Sequence, residues 1–177
     1  MTADPTDDPA DDPAGARADD STGAPIGGPD YSPGFWLWHA TLRWQREIAA
    51  VLAPLGLTHV QFVLLSCAWW LNDHGQVPNQ LALARQAGTD VKMTSEVVRK
   101  LAAKGLLARE TDPRDTRALR LRITPAGERV ARQAIAEVER ADQAFFRPAS
   151  DGSGRASLDS DQIAALLRRL AEAGPAR

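Results

Sequence analysis

The stretch from Asp90 to Thr124, DVKMTSEVVRKLAAKGLLARETDPRDTRALRLRIT, admits few folds. Asp90 is a side-chain cap for a helix. Behind it Thr94, Val97, Val98 and Leu101 recur on one helical face, and Gly105 stops the helix. Leu106 to Glu110 then reads as a strand and Thr111 to Thr116 as a charged turn. From Leu119 the apolar period becomes two, with Leu119, Leu121 and Ile123 on one side and Arg120 and Arg122 on the other. A shorter helix precedes this unit. Pro78 suits its first turn, Leu81, Ala82 and Ala84 are its apolar positions, and Ala87-Gly88-Thr89 is the connection. Two short helices followed by a hairpin spell a winged helix-turn-helix.

The flanking segments read as helices that support or pair this unit. Residues 35–53 hold no interior Pro or Gly, and two apolar stripes lie side by side: Trp38, Leu42, Ala49 and Leu52, then Leu37, Trp44, Ile48 and Val51. A helix apolar over that much surface must bury two faces, one in its own domain and one against a partner subunit. Thr58 and Gln61 form a capping box. The helix behind them, with Phe62, Val63, Leu64, Cys67, Ala68, Trp70 and Leu71, is the expected core helix, ending in a turn at Asn72–Gly75. Thr124 caps a long helix over 125–147, with Val130, Ala134, Ile135, Val138, Ala141 and Phe145 at helical spacing. A polar linker over 148–156 leads to a last helix capped by Asp159 and Gln162, with Ile163, Leu166, Leu167 and Leu170 on one face. That helix is too short to persist alone and must dock. The expected organisation is an acidic, disordered tail over 1–33, an N-terminal dimerisation helix over 34–56, the winged helix-turn-helix over 57–124, and C-terminal dimerisation helices over 125–172. The fold class is mainly α with a small β wing.

The net charge of -2 over 177 residues conceals a local asymmetry. Residues 1–30 hold eight Asp and one Arg, whereas residues 75–123 hold ten Lys or Arg against five Asp or Glu. Local sign, not the sum, sets the field at a contact face. Lys92, Met93, Ser95, Glu96 and Arg99 are left on the outer face of the second short helix, which has the right width for a major groove. Lys92, Ser95 and Arg99 can donate to bases or phosphates, Met93 can meet a thymine methyl, and Glu96 can accept from a cytosine amine or orient Arg99. At the hairpin tip Asp115 stands two residues before Arg117, a spacing that suits an ion pair holding the guanidinium for a narrow minor groove. Arg114, Arg120 and Arg122 are expected phosphate contacts.

These residues resemble the MarR family of winged-helix regulators. The resemblance spans roughly residues 35–172 and is most specific in LTHVQFVLL (57–65), MTSEVVRKLAAKGLLAR (93–109) and DPRDTRALRLRITPAG (112–127). The family's Asp-x-Arg wing motif falls on Asp115 and Arg117, and its helix-closing Gly-Leu on Gly105-Leu106. The resemblance implies a homodimer that binds double-stranded DNA at palindromic operators, represses, and releases DNA when a small aromatic or lipophilic effector arrives. It places that effector near Trp38, His39, Leu42, Trp69 and Trp70. Glu96 departs from a position that is often basic or polar in the family, which bears on the half-site sequence.

Other chemistries find little support. Cys67 cannot form an intrachain disulfide and fits a reducing compartment. In an apolar helix its thiol is a poor nucleophile. His39, His59 and His74 are far apart and lack companion ligands, so neither metal nor cofactor is expected. No nucleophile elbow, phosphate-binding glycine loop or HExxH motif occurs, and no enzyme is expected. The apolar run from Val60 to Leu71 is too short to span a bilayer. No basic start leads into an apolar run, so the expected location is the cytoplasm. The rival reading is a winged-helix protein–protein module without DNA binding.

Overall fold

A computed structural model describes residues 31–112, 115–150 and 158–173, with the side chains of 115–118 and 148–150 outside the description. The acidic tail, Arg114 and the side chains of Asp115 and Arg117 therefore lie outside the described residues. By packing, residues 1–37 form one unit and residues 38–177 another.

The elements run α1 (Pro33–Leu52), a 3-10 turn (Ala53–Leu55), α2 (His59–Asp73), α3 (Gln80–Ala87), α4 (Val91–Ala103), β1 (Leu107–Asp112), β2 (Asp115–Ile123), α5 (Pro125–Ser150) and α6 (Ser160–Glu172). The fold is mainly helical with one two-stranded antiparallel wing. No single helix among the described residues is long and apolar enough to cross a membrane.

Local chemistry fixes the helix starts. The Thr58–Gln61 capping box forms both ways at 3.3 Å. Asp90 Oδ1 accepts from the Met93 N–H at 2.8 Å, and Asp159 and Gln162 close a second capping box ahead of α6. Each satisfies backbone donors that the helix leaves orphaned. Gly88 ends α3 at φ 64°, a left-handed conformation that lets the chain double back into α4 within three residues.

The core is built on α2. Leu64, Leu65 and Ala68 are fully buried and meet Ile48 and Leu52 of α1, Leu83 of α3, Val98 and Leu101 of α4, Leu121 of β2, and Ala131 and Ala134 of α5. The two α1 stripes expected from the sequence are regrouped. Ile48 and Leu52 are buried together with Trp44 and Val51 packed beside them, while Trp38 and Ala49 are exposed. The phase of α3 also differs from expectation. Leu83 and Ala84 are buried, while Leu81 is 45% exposed and Ala82 is exposed. Pro78 lies ahead of the helix, whose cap is Asn79, accepting from the Ala82 N–H at 2.9 Å. The cause is tertiary: the Pro78 carbonyl accepts from the Leu121 N–H at 2.8 Å, and Asn79 bridges Arg120, so β2 sets where α3 begins.

Two side chains tie the wing to its support. Asn72, at the end of α2, accepts from the Ile123 N–H at 2.8 Å and donates to the Leu121 carbonyl at 3.3 Å. Thr124 donates to the Gly105 carbonyl at 2.6 Å and accepts from the Gly127 N–H at 3.0 Å, capping α5 while pinning the end of the recognition segment. Gly127 is buried there. A Cβ at this position would lie 1.9 Å from the Leu106 carbonyl oxygen, which belongs to backbone and cannot swing aside. Gly127→Ala should therefore cost about 1–3 kcal/mol of stability, as overpacking does. Denaturant titration checks this, and an unchanged midpoint would show that α5 can shift freely.

Candidate nucleic-acid interface

The second helix of the pair is α4. Its inner face holds Thr94, Val98 and Leu101, all fully buried, with Val97 half-buried. Thr94 is a polar residue in the core, satisfied by donating to the Asp90 carbonyl at 2.8 Å and sharing a 2.8 Å hydrogen bond with the Thr89 hydroxyl. That arrangement clamps the α3–α4 turn to the first turn of α4, so the outer face is rigidly presented. Lys92, Met93, Glu96 and Arg99 are exposed on that face and Ser95 is half-buried.

Lys92, Ser95, Glu96 and Arg99 line an open groove of about 720 Å³, together with Gln80, Val91 and Arg109. Arg109, on β1, was not singled out by the sequence. It stands opposite buried Leu121 in the antiparallel register, so its side chain falls on the face turned toward α4. The register is the signal that would have found it. A neighbouring recess of about 350 Å³ is lined by Asn79, Leu81, Val91, Ser95, Arg109 and Leu119 among others. Met93, expected as a thymine contact, is exposed on α4 but does not line this groove.

Charge pairing sorts the cations. Lys92, Arg99 and Arg109 make no salt bridge among the described residues. Arg120 and Arg122, both expected as phosphate contacts, are each held by a carboxylate across the wing: Arg120 to Asp112 at 2.8 Å and Arg122 to Glu110 at 3.2 Å. The register puts Glu110 opposite Arg120 and Ala108 opposite Arg122, so both ion pairs are diagonals with the same offset on one face of the ribbon. Among the described residues that face is neutralised in pairs, and the cations without a salt bridge, Lys92, Arg99 and Arg109, lie on the groove side. Glu96 pairs with Lys100 at 2.8 Å, and this hydrogen bond, with the Lys100 and Arg99 charges, holds its carboxyl below the usual range. It is therefore tied back along α4 and does not simply oppose phosphate.

No described cavity is lined by more than one of the five residues expected around an effector. Trp38 is 62% exposed, His39 is exposed and Leu42 half-buried on α1. Trp70 stacks on His74 with ring centroids 4.2 Å apart. Trp69 carries the Arg132 guanidinium over its ring at 5.0 Å and lines a shallow cleft of about 220 Å³ near Asn72 and Glu128. Burial pushes the Cys67 thiol pKa up, in line with an inert cysteine.

On α1, Trp44, which the sequence placed only in an apolar stripe, also makes a polar contact. Its indole N–H donates to Asp142 Oδ1 at 2.7 Å, and its ring meets His59 edge-on at 4.9 Å. Burial pushes the His59 pKa down against the opposing pull of Asp142. A depressed histidine makes the unfolded chain the better proton acceptor, so this contribution to stability is complete above about pH 6.5 and is lost as pH falls toward the folded value. The melting temperature should fall from about pH 7.5 to about pH 5.5, and less steeply in His59→Phe. Equal slopes in the two proteins would remove His59 from the account.

Comparison with known proteins decides what this arrangement is. Residues 57–119 match the profile of the MarR family. The HTH-type transcriptional regulator YdcH of Bacillus subtilis (strain 168) is 45% identical over 122 residues, covering 69% of this chain and 83% of that protein. The chain belongs to the MarR family. Another relative is the HTH-type transcriptional repressor Rv2887 of Mycobacterium tuberculosis, 32% identical over 111 residues, or 62% of this chain and 76% of that one. Among solved structures, BpsR of Bordetella bronchiseptica, whose DNA binding is regulated by 6-hydroxynicotinic acid, superposes with a TM-score of 0.67 at 26% identity, covering 82% of this chain and 96% of that one. As a MarR-family chain, this protein has the fold of dimeric, DNA-binding transcription regulators, and α4 with its hairpin is the family's winged helix.

Proposed function

We propose that this MarR-family protein is a homodimeric repressor that binds a palindromic operator and releases it on binding a small effector. The observation that carries the DNA reading is the groove in which Lys92, Ser95 and Arg99 of α4 and Arg109 of β1 converge, with no salt bridge to any of the three cations among the described residues and with Glu96 paired to Lys100. Lys92, Ser95 and Arg99 take the base edges of a major groove, and Arg109 takes the adjoining phosphate. Arg114 and the Asp115–Arg117 motif extend the contact at the wing tip by resemblance to the family. Repression is supported by the name of the relative Rv2887, and effector release by the BpsR comparison.

Dimerisation has its own support. Trp38 of α1 and Leu166, Leu167 and Leu170 of α6 are large apolar side chains left exposed in a single chain, 41–62% in each case. On two segments read as dimerisation helices, these are the side chains a second copy would cover. A two-fold pair then offers two α4 helices to two half-sites.

Fluorescence anisotropy with the protein's own upstream region tests the reading. Tight, sequence-specific and salt-sensitive binding by two protomers is expected. Binding no tighter than to random duplex, at low salt, would leave the interaction-module alternative in its place.

A further inference from the structure

The open groove along α4 and the recess beside it share Gln80, Val91, Ser95 and Arg109, so the two form one continuous face. The groove carries the cations Lys92, Arg99 and Arg109. The recess adds apolar side chains from three elements: Leu81 of α3, Val91 of α4 and Leu119 of β2. Leu81 is 45% exposed and Val91 46%. Among the described residues Val91 is the one apolar side chain that lines both hollows. It is also the first residue of α4, next to the Asp90 cap. The first turn of the second helix in such a pair is the part that reaches base edges. Ser95 follows Val91 by four residues on the same helical stripe, about 6 Å along the axis.

We propose that Val91, at the mouth of a recess walled by Leu81 and Leu119, reads the 5-methyl group of a thymine in each operator half-site. The inference rests on the DNA reading above and adds the identity of a base. Of the groups that base pairs present in the major groove, the thymine methyl is the apolar one. An isopropyl group beside Lys92, Ser95 and Arg99 gains by covering that methyl, because both apolar surfaces leave water together. A cytosine or adenine amine at the same place would face hydrocarbon without an acceptor, which costs affinity. The offset along α4 puts the thymine about two base-pair steps from the pair read by Ser95. Met93 is exposed on α4 but lines neither hollow, so the apolar contact falls to Val91.

The test takes the full-length protein and a preferred duplex that it selects from a random pool. Each thymine is replaced in turn by deoxyuridine, which keeps the pairing edge and the O4 acceptor and lacks only the methyl group. One symmetry-related pair of positions should stand out, with affinity falling about 4-fold per half-site, the worth of one buried methyl. Val91→Ala should weaken binding to the thymine duplex. In that variant uridine at the same pair of positions should change affinity by less than about 2-fold, the mark of a removed contact in a double-mutant cycle. Val91 is exposed, so the fold tolerates the change. Three results would overturn the assignment and leave the DNA reading standing: specific binding with no uridine-sensitive thymine, equal sensitivity in Val91→Ala and the parent, or sensitivity lost in Met93→Ala and kept in Val91→Ala. Failure of the pool to yield any preferred duplex would remove the DNA reading and this inference with it.

Discussion

Arg99→Ala should weaken operator binding by about 10- to 100-fold at moderate salt, the range of one well-formed base contact. Arg109→Ala should weaken it less and about equally across operator sequences, lowering the salt slope by about one. Both follow from the groove, where neither side chain has a salt-bridge partner among the described residues. Neither substitution should disturb the fold, because both side chains are exposed. The contrast lies on the other face of the wing. Arg122 is already paired with Glu110, so Arg122→Ala should cost less than either, and Glu110→Ala should tighten binding by freeing the guanidinium. Equal losses for Arg99, Arg109 and Arg122 would mean that the pairs dissolve on DNA and do not sort the cations.

Leu101→Ala should destabilise the protein by about 2–5 kcal/mol, the cost of a buried leucine and the cavity it leaves. Leu101 is fully buried at the last turns of α4, in the cluster shared with Leu64, Val98 and Leu106. For a chain of this size that is a fall of roughly 6–15 °C in melting temperature. Lys92→Ala, on the exposed face of the same helix, should stay within about 0.5 kcal/mol of the parent while weakening operator binding. A small loss for Leu101→Ala would show that α4 is held by its cap and turn, through Asp90 and Thr94, more than by its apolar face.

The recognition unit was legible because its signals are local. Asp90 caps α4, Gly88 and Gly105 bound it, and the change of period at Leu119 announces a strand. The outward positions Lys92, Glu96 and Arg99 followed from the inward ones at Thr94, Val98 and Leu101. What escaped the sequence depends on contacts between distant segments. The run Leu-Ala-Leu-Ala in α3 has two acceptable phases, and a hydrogen bond from β2 to Pro78 chose the one that buries Leu83. Arg109 needed the strand register, and so did the pairing of Arg120 and Arg122. The meeting of Ile163 and Leu167 with Trp44 around one recess needed α6 laid against α5, across more than a hundred residues. The sequence shows that tryptophans are abundant but not which neighbour each one meets: Trp69 lies under Arg132 and Trp70 stacks on His74.

The central claim is that α4 and the wing of each of two copies meet one duplex along a single face. Hydroxyl-radical footprinting of the operator tests it most directly. The account predicts two protected backbone tracts whose centres lie about one helical turn apart, roughly 34 Å, with flanking protection from the wings that weakens in Arg109→Ala. A single uninterrupted tract, or protection unaltered by Arg99→Ala and Arg109→Ala together, would contradict it.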